Sequence, residues 1–191
     1  MASNSKIIKI FVLLFVAELL LALILFNYIF NKNNEVGEIY EMSLVLNNGL
    51  IFIEGETNPF TGRIQGTLST NLVLEFNVVN GVKNGQYLLF NAQGKLVVSG
   101  WTENNKNSGT WEYYYDDGQL RCTGDYKDDE QSGKWIWYQS NGLKECEGSF
   151  LNGSMHGKFI KYDDKGDLRL VINYESGRVI SFVEIYQPKI I

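Results

Sequence analysis

The chain has 191 residues, 45% of them hydrophobic and 14% aromatic, with a formal charge of −5. No basic patch interrupts that acidic balance, which argues against a nucleic-acid partner and disfavours anionic lipid as a ligand of the folded part. One histidine and two cysteines leave little from which to build a metal centre.

Residues 1–9 are a short tail carrying Lys6 and Lys9. Residues 10–30 are apolar except for Glu18 and a few polar positions near the end, long enough to cross a bilayer, which takes about 17–25 residues. The exit, Leu25-Phe26-Asn27-Tyr28-Ile29-Phe30, lacks the small-residue pattern of a cleavage site. The expectation is an uncleaved transmembrane signal anchor. Lys6 and Lys9 on one side, against Glu35, Glu38 and Glu41 on the other, put the N-terminus inside. The rest of the chain then lies outside the cytoplasm, in the periplasm or at the cell surface. Glu18 near mid-span has two readings, a polar handle for a partner helix or a neutralised carboxyl that an apolar span tolerates.

Residues 31–45 read as a linker, and residues 46–187 as the folded domain. Met42–Leu46 and Leu50–Ile53 match a leading hairpin turned at Asn47-Asn48-Gly49. Pro59 interrupts the strands, because proline cannot donate to a ladder.

A repeat then begins. Opening glycines stand at Gly62, Gly85, Gly109, Gly133 and Gly157, at intervals of 23, 24, 24 and 24 residues. Nine residues after each stands Asn71, Gly94, Gly118, Gly142 or Gly166. Two after each comes Ile64, Tyr87, Trp111, Trp135 or Phe159, and five after comes Thr67, Phe90, Tyr114, Tyr138 or Tyr162. Such a period marks a repeat array. Asp117-Gly118 predicts a two-residue type I′ turn. That turn would set Tyr115 opposite Leu120, Tyr113 opposite Cys122 and Trp111 opposite Gly124. Asn141-Gly142 likewise sets Trp137 opposite Cys146 and Trp135 opposite Gly148, and Tyr87 meets Gly100 one repeat earlier. Each ring is expected to lie across the glycine it faces. Val179, Ser181, Val183 and Ile185 alternate as a closing strand, and Pro188 ends it.

Alternation assigns two faces. One carries Tyr87, Leu89, Leu96, Val98, Trp111, Tyr113, Leu120, Cys122, Trp135, Trp137, Cys146, Phe159, Leu168 and Leu170, broken by Lys144 and Lys161. The other is polar, with an aromatic row of Phe90, Tyr114, Tyr138 and Tyr162. A single layer cannot hide both faces, so the rings stay partly exposed unless they are buried by one another. The candidate partner-binding residues are Tyr87, Phe90, Trp111, Tyr113, Tyr114, Trp135, Trp137, Tyr138, Phe159 and Tyr162.

No catalytic constellation is visible. His156 sits in a turn with only Ser154 close by. Asp125, Asp128, Asp129 and Glu130 lack the ligand spacing of a calcium loop and read as a solvated turn. Cys122 and Cys146 lie two strands apart, about 9.5 Å at the usual strand spacing, beyond the roughly 4.4–6.8 Å that a disulfide spans. They read as free thiols. No cofactor, metal or small-molecule substrate is indicated.

The pattern Gly-x-aromatic-x-x-Tyr, followed by Gly-x-Leu, resembles the MORN repeat in the variant of the YwqK-type antitoxin family. The lead-in Asn48-Gly49-Leu50-Ile51-Phe52 and Asn58-Pro59-Phe60-Thr61-Gly62 is similar too, so the resemblance spans Leu46 to Tyr186. It implies an all-β chain, a single-layer antiparallel meander of about five hairpins. It also implies a protein partner, a toxin, and the predicted topology makes an immunity-like role in the envelope the better fit. The alternative is a structural envelope scaffold or membrane-surface organiser with no dedicated partner. Asn71, Lys144 and Ile172 depart from the pattern, which suggests end repeats that act as caps.

Overall fold

The computed structural model describes residues 43–68 and 70–185. The anchor expected at 10–30, with Glu18, most of the expected linker and the residues after 185 lie outside this range. Among the described residues, no helix is long and apolar enough to cross a membrane.

The described chain is all-β and antiparallel. A leading hairpin pairs β1 (Leu44–Asn47) with β2 (Leu50–Ile53). The main sheet starts with β3 (Gly62–Thr67), β4 (Val73–Val79), β5 (Val82–Phe90) and β6 (Leu96–Glu103). It continues with β7 (Lys106–Tyr114), β8 (Leu120–Lys127), β9 (Glu130–Tyr138) and β10 (Lys144–Leu151). It closes with β11 (Ser154–Met155), β12 (Gly157–Tyr162), β13 (Leu168–Glu175) and β14 (Arg178–Glu184). From β3 to β14 neighbours in sequence are neighbours in the sheet, apart from the short β11, which pairs with β10. The meander follows from the loops, because each is too short for anything but a hairpin.

Two loop types alternate. Asn48-Gly49, Asn80-Gly81, Asn104-Asn105, Asp128-Asp129, Asn152-Gly153 and Ser176-Gly177 are two-residue loops with positive φ at both positions. That is the type I′ requirement, and asparagine, aspartate and glycine meet it at least cost. The other ends differ from expectation. Asp117-Gly118 is not a type I′ turn, because only Gly118 has positive φ. The Gly118 N–H donates to Tyr115 O, and the Tyr115 N–H donates to Gln119 O. This is a type I turn followed by one left-handed residue, which inserts a bulge. The same pair of bonds closes Leu68–Leu72, Asn91–Lys95, Gln139–Leu143 and Asp163–Asp167.

The bulge has a consequence for the faces. Tyr113 pairs with Cys122 and Trp111 with Gly124 as expected, but Tyr114, not Tyr115, pairs with Leu120. Phe90 likewise pairs with Leu96, Tyr138 with Lys144 and Tyr162 with Leu168. Directly opposed residues share a face. Leu96, Leu120 and Leu168 therefore leave the tryptophan face and join the tyrosine row. Lys144 is not a break in the apolar core. It sits on the polar face and donates to Glu147 Oε2 at 2.8 Å.

The sheet is single-layered except at its start. There Leu44 and Ile51 of the leading hairpin pack on Ile64 and Val78 of β3 and β4. The Ile51 N–H donates to Gly81 O and the Gly81 N–H to Phe60 O, which ties the hairpin down.

One margin of the sheet carries a ladder. The second residue of each type I′ loop after β6 donates its N–H to a carbonyl 22 residues earlier: Asn105 to Lys83, Asp129 to Asn107, Gly153 to Gln131 and Gly177 to Met155. Asn105 and Asp129 return a second bond, their Oδ1 accepting the N–H of Lys83 and of Asn107, each at 2.7 Å.

Candidate interaction surface

The rings of the tryptophan face form the core. Trp111 is 0% exposed, Trp135 2% and Tyr87 5%. Of the two outcomes open for these three rings, partial exposure or burial by one another, the structure shows burial. For the two tryptophans that burial has one cause, repeated in the ring of Phe159. The Trp111 ring lies over Gly100, the Trp135 ring over Gly124 and the Phe159 ring over Gly148, where an added Cβ would collide with them. Register alone put Trp111 over Gly124 and Trp135 over Gly148. The Cα pairing is as expected, but each ring leans back onto the glycine of the preceding repeat. The β6–β7 and β8–β9 ladders are irregular between Ser99 and Trp101 and between Thr123 and Asp125, around Gly100 and Gly124, which lets the rings in.

Each indole is then fixed by a hydrogen bond. Trp111 Nε1 donates to Trp101 O and Trp135 Nε1 to Asp125 O, both at 3.1 Å. Tyr126 packs edge-on between the two, 5.7 Å from Trp111 and 5.2 Å from Trp135. Phe150 extends the row at 6.2 Å from Trp135. Neither Tyr126 nor Phe150 was among the sequence candidates. The signal was present, because each stands two residues after the late glycine, on the ring-bearing face.

Tyr113, Trp137 and Phe159 are half-buried at the margins of this core. Tyr113 Oη meets Tyr126 Oη at 3.3 Å. Burial, then the neighbouring Tyr126, pushes the Tyr113 phenol well above its ordinary value, and burial raises Tyr126 as well.

The second face carries the rest of the candidates. Phe90, Tyr114, Tyr138 and Tyr162 are all half-buried. They recur every second strand, about 9.5 Å apart at ordinary strand spacing. Leu96, Leu120 and Leu168 stand opposite three of them, and Lys144 opposite the fourth. Tyr114 Oη donates to Glu112 Oε2 at 2.7 Å and Tyr162 Oη to Glu147 Oε1 at 3.4 Å. Burial, then the Glu112 bond, pushes the Tyr114 phenol up to about 12. Glu147 also takes Lys134 at 3.1 Å. The Lys144 hydrogen bond, with help from Lys134, holds its carboxyl below the ordinary value against the opposing pull of burial. The face is thus an apolar stripe bordered by paired charges.

Cys122 and Cys146 are free thiols, and burial pushes both up to about 12. They are not thiolates at neutral pH and so are poor nucleophiles. The acidic cluster has structural partners. Asp125 accepts from Thr110 Oγ1 at 2.7 Å, Asp129 caps Asn107, and Asp128 meets Lys106 at 3.3 Å. The His156 N–H donates to Ser149 O at 2.8 Å, tying that turn to β10.

These features define a class: an open, hairpin-per-repeat β array whose rings interlock from one repeat to the next. The MORN repeat variant family matches residues 108–128, which hold Trp111, Tyr114 and the Gly118 turn. No curated protein matches the chain. Among solved structures it is similar to one described as a GtfA/B complex bound to UDP and GlcNAc. That similarity has 14% identity and a TM-score of 0.18, over 76% of this chain and 25% of the other.

Proposed function

We propose that the chain is a membrane-anchored, MORN-like binding module that docks another protein through the second-face row. Phe90, Tyr114, Tyr138 and Tyr162 are the contact rings, and Leu96, Leu120 and Leu168 fill between them. The single observation behind this reading is that the bulges move aliphatic residues beside half-buried rings on an open face. Aromatic rings ringed by charge are the usual anchors of a protein interface. Trp111 and Trp135 instead hold the array together. The antitoxin resemblance adds a toxin as the partner, and the predicted anchor at 10–30 places the encounter outside the cytoplasm, an immunity-like role.

The test is crosslinking of the full-length chain in its own cells. One protein is expected at near-stoichiometric yield, and Tyr114→Ala with Tyr138→Ala is expected to cut its recovery at least tenfold. Recovery unchanged in the folded double variant would overturn docking at this row. Many weak partners and no dominant one would favour a scaffold. A protease-protection assay on intact and opened cells checks the topology, since digestion only after the inner membrane is broken contradicts it.

A further inference from the structure

We propose that the cleft between the leading hairpin and the first repeats binds a linear aliphatic carboxylate, tail inward and head on the Lys83 amine. This inference is independent of the docking row, which lies on the opposite face of the sheet.

The cleft has a volume of about 250 Å³. Leu44 and Ile51 form one wall, with Ile64, Leu74, Phe76 and Tyr87 on the other. Apart from Thr67, Asn105 and Lys83, the lining is hydrocarbon, aromatic or glycine. Lys83 is its one charged residue. The place is unusual for a charge. Lys83 lies two residues before Gly85 and four before Tyr87, on the core face of β5, opposite Val78, which is 1% exposed. One, two and three repeats on, the equivalent positions hold Asn107, Gln131 and Met155, all uncharged. None of the described carboxylates forms a salt bridge with Lys83. Burial lowers its pKa, and the charge of Asp129 only partly offsets this. A desolvated cation beside an apolar space is stabilised by a ligand that brings the opposite charge with it.

Size and polarity narrow the ligand. An apolar cavity of about 150 Å³ holds benzene, so this cleft has room for about ten carbons, a single alkyl chain. A peptide would bring amide groups that the lining cannot satisfy. A carboxylate head also suits Asn105. Its Oδ1 is taken by the Lys83 N–H at 2.7 Å, so the group it can still offer a ligand is the Nδ2 donor. Because the bound anion raises the amine's pKa, binding takes up protons and weakens as pH rises past the pKa of the free amine.

The probe is sodium decanoate, kept below its micelle concentration and titrated calorimetrically into the full-length chain. Decanol and decyltrimethylammonium serve as tail-matched controls. One decanoate per chain is expected, with decanol at least tenfold weaker and the cation not bound. Lys83→Met is expected to weaken decanoate at least tenfold and Lys83→Arg to retain it. Leu46→Trp, changed at an exposed rim residue, is expected to block binding in a folded chain whether or not Lys83→Met folds. Equal affinity for decanol, undiminished binding by Lys83→Met or Leu46→Trp, or no saturable binding would each overturn the proposal. So would saturable binding of a hydrophobic peptide acid when decanoate does not bind.

Discussion

At the scale of single residues, the contact between ring and glycine dominates. Trp111→Ala removes a fully buried indole and is expected to cost about 3–5 kcal/mol, read by urea denaturation. Trp135→Phe swaps the indole for a smaller ring, losing the bond to Asp125 O and part of the packing volume, so about 2–4 kcal/mol is expected. Phe159 over Gly148 shows that a ring without an N–H can serve at this position. Gly124→Ala pushes a methyl into the Trp135 ring and is expected to cost about 1–3 kcal/mol. The buried thiols and phenols give a pH dependence whose sign is fixed. Their folded-state pKa values are raised, so their contribution is intact below the unfolded values and disappears as pH climbs toward the folded ones. For Cys122 that window runs from the ordinary value of 9.0 to about 12. Stability is expected to fall across it, and Cys122→Ala to flatten part of the fall. The pairing of Trp111 with Gly124 was legible because turn and alternation fix the register. The lean of the ring onto Gly100 was not, because register says nothing about which neighbouring strand a side chain covers.

At the scale of elements, the two loop types decide which residues meet. The Asp-Gly and Asn-Gly pairs in the sequence suggested tight turns, but a left-handed glycine also closes a three-residue loop, and length alone does not separate the two. The true type I′ loops at Asn104-Asn105 and Asp128-Asp129 carry no glycine; the second stood out only as part of a solvated acidic turn, and the first gave no Asn-Gly or Asp-Gly signal. Asn104→Ala keeps a Cβ at φ 51° but removes the short polar side chain that lets asparagine adopt the left-handed region. It is expected to cost about 1–2 kcal/mol. Missing the bulges also misplaced Leu96, Leu120 and Leu168, and with them the make-up of the tyrosine row. The last strand is different in kind. Val179, Ile180, Phe182 and Val183 of β14 are each more than half exposed, on an edge that pairs only with β13. Unprotected edges invite pairing between chains. Val183→Lys is therefore expected to reduce self-association in light scattering while the thermal midpoint stays within a few degrees.

At the scale of the whole molecule, each repeat touches only its neighbours, so stability is a sum of near-identical interfaces. Deleting residues 109–132 removes one full period and lets Trp135 take the place of Trp111 over Gly100. The shortened chain is expected to keep its β spectrum and a cooperative urea transition of smaller slope. Deleting only 109–120 leaves a strand without its partner and is expected to abolish that transition. The margin that bears the type I′ loops is stitched unevenly. Doubled fastenings at Asn105 and Asp129 give way to single ones at Gly153 and Gly177, so the ribbon should come undone from its tail. Amide exchange should be fastest there and slow steadily toward the front, where the hairpin clasp at Gly81 holds the first turn shut.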